Sequence, residues 1–245
     1  MKRFTDLLQI ILFSLCILGL FFLSIYHQDL QWASVWEYRS LFLKGWVNTI
    51  LISLASLLLS FGIGLLTALI ARSGILLGHM ITQLYIELIR GTPLLVQILF
   101  FYYVIAHHMG LENRYISGTL MLSIFHGAYI AEMIRSGIDS ISSSQLESAR
   151  AIGLSKFQTY RFLIFPQAIR HILPNLAGQF ASIIKDSSLL SIIGINEITN
   201  SAQQINSATY STLESYLPLA FAYLILTLPI SLWSKHLEKR FQYET

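Results

Sequence analysis

A stretch of 25 residues, Val47–Ala71, contains no charged side chain. As an α-helix it is long enough to cross about 30 Å of hydrocarbon. Lipid offers no hydrogen bonds to the backbone, so an apolar segment of this length is restricted to helical structure. The rest of the chain has the same character, because 54% of its residues are hydrophobic and only 12% are charged, against about 25% in soluble domains. The sequence therefore predicts an all-α, polytopic membrane helix bundle.

Five further apolar segments raise the predicted number of transmembrane helices to about six. They are Leu7–Tyr26, Met80–Ala106, Ile116–Arg135, Asn175–Thr199 and Tyr216–Ser234. We interpret the first as a retained span, because its apolar run exceeds the roughly 7–15 residues of a signal peptide. Residues 28–45, which are rich in aromatic side chains, are predicted to form the loop that follows this span. Glu214 is expected in the loop that precedes the last span, Tyr216–Ser234.

Small side chains recur every four residues in Val47–Ala71, at Ser56, Ser60, Gly64 and Ala68. This spacing places them along one helical face and allows a neighbouring helix to approach closely. We therefore expect that face to point into the bundle.

Ionisable residues within the predicted spans are costly, and such residues usually face the bundle interior or an aqueous pathway. Glu87 and Arg90 are three residues apart and would meet on one helical face, either as a mutual ion pair or as part of a pathway. Gly91 and Pro93 should bend this span.

Two further positions in the spans are polar. Lys185 and Asp186 are adjacent, so they do not face one another and need partners elsewhere. We expect His126 to be a core residue or to form an interhelical hydrogen bond rather than to bind a metal ion.

The longest polar interruption is Ser144–Pro174. Ser144 and Glu147 have the spacing of a capping box, and Gly153 lies where a C-cap glycine is expected, which predicts a helix over Gln145–Ile152. Ser155 and Gln158 repeat the box and open a second helix that should end before Pro166. Two capped helices set at an angle make a rigid elbow, and an ordinary amphipathic loop is the alternative.

The distribution of basic residues predicts the orientation. If six spans place both termini on one side, that side receives 11 of the 16 Lys and Arg residues and the other receives three, with two in the spans. The positive-inside rule then places the termini and the elbow in the cytoplasm.

Glu147, Ala149 and Gly153, followed by Phe165 and Pro166, closely resemble the EAA loop of importer-type ATP-binding cassette (ABC) permeases. The departures are modest: Ser148 stands in place of the second Ala, Leu163 in place of Ile, and Phe165 in place of Leu. Two more stretches, residues 87–97 and 185–194, are similar to the polar amino-acid branch of this family. The resemblance covers roughly residues 45–239.

The resemblance implies a permease that imports a polar or charged amino acid across the bacterial inner membrane by alternating access. It implies as partners a dimer of ABC ATPases, an extracytoplasmic substrate-binding protein, and a second copy of this chain or a related permease. The sequence contains no Walker A motif, so ATP and Mg²⁺ are expected on the ATPase, and this chain itself is expected to bind no cofactor. The scattered basic residues give no support for nucleic-acid binding.

The resemblance also implies two sets of site residues. The first couples the chain to the ATPase, with Ala149 and its neighbours filling the ATPase groove: Glu147, Ser148, Ala149, Arg150, Ala151, Ile152, Gly153 and Leu154. The second lines the substrate pathway: Glu87, Arg90, Thr92, Gln97, Lys185 and Asp186.

The expected organisation is an N-terminal span and loop over residues 1–44, a permease domain over 45–239 with the coupling loop at 137–174, and a tail over 240–245. An ATP-independent channel or carrier is the alternative function. A membrane enzyme is disfavoured, because His126 and Glu132 are six residues apart and no nucleophile with a matching base accompanies them.

Overall fold

The computed structural model describes residues 30–242 and, before them, only Gln9, Phe13, Cys16 and Gly19. Apart from those four residues, the predicted first span, Leu7–Tyr26, lies outside the described residues, as do the last three residues of the tail. Every regular element of residues 30–242 is helical, which confirms the all-α fold class.

The α-helices of residues 30–242 are α1 (Trp32–Trp36), α2 (Arg39–Ala71), α3 (Leu76–Gly91), α4 (Leu94–Phe100), α5 (Arg114–Asp139), α6 (Ser143–Ala151), α7 (Lys156–Thr159), α8 (Phe165–Asp186), α9 (Ile198–Thr209) and α10 (Thr212–Gln242). A π-helical segment, Phe101–Ala106, continues α4, and a second, Tyr160–Ile164, joins α7 to α8. A 3₁₀ segment, Ser187–Ile193, follows α8.

Two of the described helices, α2 and α10, are each long and apolar enough to cross a membrane. The α3–α4 pair makes a third span if its two halves are counted together, and it bends by 109° at the break. This bend confirms the effect predicted for Gly91 and Pro93. The total of six spans stays a prediction.

Helix α5 is the centre of the described bundle and packs against α2, α3 and α8. The small-residue face of α2 is buried, as predicted, and Gly64 lies directly against α5. A Cβ added to Gly64 would lie 2.7 Å from Ile130 Cγ2, closer than real Cβ atoms approach other carbons. The four-residue spacing of small side chains therefore sets how closely these two helices pack.

Several predicted boundaries are wrong. Residues 32–36 and the residues from Arg39 onwards are helical where a loop was expected. The α-helical part of the fifth span ends at Asp186, and a 3₁₀ segment replaces its last predicted turns. Helix α10 begins before and ends after the predicted sixth span and contains both Pro218 and Pro229.

Glu214, expected in a loop, is buried in the first turn of α10. Its Oε1 accepts a hydrogen bond from the backbone N–H of Gln31, which precedes α1. A partner so distant in sequence explains why the local pattern did not predict a buried carboxylate.

Candidate functional site

The elbow helix α6 begins two residues earlier than predicted. Its N-cap is Ser142, whose Oγ accepts from the Gln145 N–H, and Ser144 Oγ is hydrogen-bonded to Ser142 Oγ. The predicted capping box of Ser144 and Glu147 is therefore wrong. Three consecutive serines, 142–144, offer equivalent local caps, and the buried Ile141 fixes where the chain leaves the bundle.

The other end of α6 is as predicted. Gly153 has φ +81°, in the left-handed region that favours glycine. The Leu154 N–H donates to the Ala149 carbonyl at 3.0 Å and the Gly153 N–H to the Arg150 carbonyl at 3.0 Å. These two bonds form a Schellman motif, which ends the helix sharply.

The second helix opens with the predicted capping box. Gln158 N–H donates to Ser155 Oγ at 3.2 Å, and Ser155 N–H donates to Gln158 Oε1 at 2.8 Å. The helix does not end before Pro166, however, because the π segment Tyr160–Ile164 carries it directly into α8. Pro166 lies in the first turn of α8, directly after the π segment, where a missing N–H costs least.

Most of the predicted coupling residues lie on the surface of the elbow. Ala149 is the exception, since only 4% of it is exposed and it faces its own chain instead of an outside groove. Ile152 and Phe157, each 76% exposed, are the most exposed large apolar side chains of the elbow, and Phe162 and Phe165 of the same segment are also more than half exposed. A cavity of about 570 Å³ lies behind α6, between this helix, Asp139 at the end of α5 and Tyr160 of the π segment.

A chain of ionic contacts connects α3, α5 and the end of α2. Arg90 Nη1 lies 3.6 Å from Glu132 Oε1, Arg135 donates to both Glu132 and Asp139, and Asp139 is also paired with Arg72. Asp139 is the last residue of α5, immediately before the elbow.

This ionic chain corrects one sequence-based expectation. Glu87 and Arg90 do not pair with each other, because Arg90 is held by Glu132 from a neighbouring helix and Glu87 accepts from Gln83 Nε2 at 3.1 Å. Glu87 and Arg90 do line the same cavity of about 320 Å³, together with Glu132 and Arg135. Acidic and basic side chains thus share one polar space.

Thr92 and Gln97 hold the break between α3 and α4 together. Gln97 Nε2 donates to the Ile89 carbonyl at 2.7 Å and to Thr92 Oγ1 at 2.7 Å, so it satisfies groups that the interrupted helix leaves free. Gln97 Oε1 is buried and accepts no hydrogen bond.

Lys185 and Asp186 lie at the end of α8. Asp186 Oδ2 is 3.4 Å from Nε2 of His126, which is buried in α5 and hydrogen-bonded to Gln179 of α8. The interhelical role predicted for His126 is thereby confirmed. The six predicted pathway residues therefore occupy three places: the ionic cavity, the helix break, and the end of α8.

Glu132, Arg135 and Asp139 were not predicted to form a cluster, and Gln179 was not predicted to contact His126. The spacing of the first three, i, i+3 and i+7 on one helix, was a readable signal. Gln179 gave no such signal, because its partner lies on another helix. Among the residues that the structure describes, no group of three or more His, Cys, Asp or Glu side chains is placed to hold a metal ion.

Comparison with known proteins identifies the family. Residues 60–243 match the family described as "Binding-protein-dependent transport system inner membrane component". The chain belongs to this family. The permease is 34% identical over 212 residues to the glutamine transport system permease protein GlnP of Escherichia coli strain K12, covering 86% of this chain and 97% of that protein.

Two further matches cover most of the permease. The nopaline transport system permease protein NocM of Agrobacterium fabrum is 37% identical over 194 residues, which is 75% of this chain and 80% of that protein. A solved structure described as an amino acid ABC transporter with histidines superposes with a TM-score of 0.80 at 34% identity, covering 87% of this chain and all of that chain. The permease is a membrane transport subunit of the ABC importer type.

Proposed function

We propose that this permease imports a polar or charged amino acid and is driven by a separate dimer of ABC ATPases that binds the elbow. The observation that carries the proposal is the elbow itself, in which two capped helices present Ile152 and Phe157 outwards. Apolar side chains exposed on a rigid polar element mark a surface for another protein.

The mechanism follows from how the elbow is attached. Helix α6 is joined to α5 through the short segment 140–142, and the ion-paired Asp139 lies at that junction. The cavity behind α6 leaves room for the helix to move when the ATPases close. Such a movement would tilt α5 against α2 and α8 and exchange outward for inward access.

The substrate class is supported by the relatives, whose names specify glutamine and nopaline, and by the solved amino acid transporter. A zwitterion carries both charge signs. The cavity lined by Glu87, Arg90, Glu132 and Arg135 contains both negatively and positively charged side chains. Outside this cavity, the Oε1 atom of Gln97 is a buried hydrogen-bond acceptor without a donor.

The proposed assembly lies in the bacterial inner membrane with both termini of this chain in the cytoplasm. It contains a second copy of the chain or a related permease, and it receives the amino acid from an extracytoplasmic binding protein. ATP and Mg²⁺ bind to the ATPase subunits. The support for this orientation is the excess of Lys and Arg on the side of the elbow.

The test begins with purification of the tagged chain from its native membrane in mild detergent, followed by mass spectrometry of the co-purified proteins. The complex is then placed in proteoliposomes together with its extracytoplasmic binding protein, and uptake of a ¹⁴C-labelled L-amino-acid mixture is measured with and without ATP. We expect an ABC ATPase to co-purify and uptake to require ATP. Recovery of this chain alone, even after crosslinking through Ile152→Cys, or ATP-independent flux, would instead indicate a channel or carrier.

A further inference from the structure

His126 lies half-way along α5 and is 1% exposed. Both of its ring nitrogens face polar groups of α8. Nδ1 is hydrogen-bonded to Gln179 Nε2, and Gln179 is itself buried. Nε2 is buried without a hydrogen bond, and Asp186 Oδ2 lies 3.4 Å from it. A buried ring nitrogen that is almost in contact with a carboxylate calls for a functional explanation.

The contact with Asp186 points to one tautomer of the ring. A carboxylate only accepts hydrogen bonds, so an imidazole that donates to Asp186 carries its proton on Nε2. Nδ1 of that tautomer accepts a hydrogen bond from the Gln179 amide. Both contacts are therefore compatible with a neutral imidazole whose Nε2–H points at Asp186.

Asp186 has one oxygen near His126 and remains accessible, since 37% of its side chain is exposed. Within residues 30–242 no Lys or Arg nitrogen lies within 4 Å of its oxygens, and the adjacent Lys185 acts on it only as a nearby positive charge. A carboxylate in a membrane helix is usually paired with a cation. The α-ammonium group is the cation that every amino acid carries.

We propose that His126 is a positioning residue, held by Gln179, which orients the Asp186 carboxylate to receive the ammonium group of the transported amino acid. This inference rests on the proposed function, because it assigns one part of the substrate to one residue of the pathway. His126 lies beside one carboxylate oxygen of Asp186, so in this proposal the other oxygen is the one that receives the ammonium group.

The tautomer is tested without substrate. The purified complex is labelled with ¹³C,¹⁵N-histidine, and the His126 ring signals are identified by their loss in His126→Gln. We expect the NMR shifts of the Nε2–H tautomer in the wild type and a mixture of tautomers in Gln179→Leu. Gln203→Leu, an exposed position on α9, is the matched control and should change nothing. A wild-type ring with its proton on Nδ1, or on both nitrogens, would overturn the proposal.

Transport tests the positioning role. His126→Gln retains a side-chain N–H near the position of Nε2, whereas His126→Leu removes it with little change in volume. In ATP-driven uptake of the labelled amino-acid mixture we expect His126→Gln to keep at least about half the wild-type rate and His126→Leu and Asp186→Asn each to lose about tenfold. The double variant His126→Leu/Asp186→Asn should be no worse than Asp186→Asn alone, because the histidine acts through the carboxylate.

These measurements distinguish failure of the positioning role of His126 from failure of the proposed transport function. Losses that multiply in the double variant, or a His126→Leu rate equal to that of the wild type, would show that His126 does not act through Asp186. If the wild-type complex takes up no amino acid, the proposed function fails and the substrate role of Asp186 fails with it. The NMR result would still decide the tautomer of His126.

Discussion

At the scale of single residues, Gly153 has the clearest conformational requirement in the elbow. Its φ of +81° lies in the left-handed region, and a Cβ added there would meet nothing within 4 Å. The effect of a substitution is therefore confined to the backbone and does not arise from a clash. A substitution at Gly153 therefore changes the shape of the elbow without changing its packing.

We predict that Gly153→Val uncouples ATP hydrolysis from transport while the protein still inserts and assembles. A β-branched residue disfavours the left-handed conformation by at least about 1–2 kcal/mol, which shifts the end of α6. Gly153→Asn is the control, since asparagine tolerates this conformation and should retain most transport. The amino acid transported per ATP hydrolysed is the measurement, and a normal ratio in Gly153→Val would contradict the prediction.

Substitution of Arg90 distinguishes a role in the substrate pathway from a role in stabilising the fold. Glu132 retains Arg135 as a partner when Arg90 is removed, and the Arg90 side chain is 43% exposed. Exposed ion pairs contribute at most about 1 kcal/mol. We predict that Arg90→Ala assembles with a melting temperature close to that of the wild type but loses at least about tenfold in uptake rate. Unchanged uptake affinity and rate would remove Arg90 from the pathway.

At the scale of helices, the contact between α2 and α5 depends on Gly64. An added Cβ there would meet Ile130 at 2.7 Å and the backbone nitrogen of Ala131 at 3.0 Å, while Gly62 on the same helix has nothing within 4 Å. Backbone atoms cannot move aside as a flexible side chain can. The two glycines thus form a matched pair.

We predict that Gly64→Ala destabilises the bundle by about 1–3 kcal/mol, the usual cost of overpacking a core. Gly62→Ala should be neutral or stabilising by up to about 1 kcal/mol, because alanine favours the helix more than glycine. Thermal unfolding in detergent, followed by size-exclusion chromatography, measures both. Equal melting temperatures for the two variants would show that α2 and α5 can move apart without cost.

At the scale of the whole molecule, the proposed orientation places the elbow and the α4–α5 loop on opposite sides of the membrane. Phe157 in the elbow and Met109 in that loop are both largely exposed, so each is a suitable site for a cysteine. Cys16 is the only native cysteine and is replaced by serine in the starting variant.

We predict that a membrane-impermeant maleimide labels Met109→Cys, but not Phe157→Cys, in intact cells with a permeable outer layer. Inverted membrane vesicles should give the reverse pattern. Labelling after solubilisation in detergent confirms that both cysteines are reactive. Labelling of Phe157→Cys in intact cells would place the elbow outside the cytoplasm and exclude contact with a cytoplasmic ATPase.

The sequence by itself determined the features that depend on neighbouring residues. The apolar runs gave the helical class, the four-residue spacing gave the buried face of α2, and Gly91 with Pro93 gave the bend. The conformation of Gly153 and the capping box of Ser155 and Gln158 were predictable for the same reason. Each of these follows from backbone sterics or from hydrogen bonds that span only a few residues.

Only the tertiary structure decided which polar group each buried or charged side chain contacts. Arg90 is held by Glu132 rather than Glu87, Glu214 is bonded to Gln31, and His126 lies between Gln179 and Asp186. These partners are brought together by helix packing, which can favour a distant residue over one three positions away. Ala149 is buried rather than exposed for the same reason: the elbow's spacing defines a helix, but the face that the helix buries depends on the bundle beneath it.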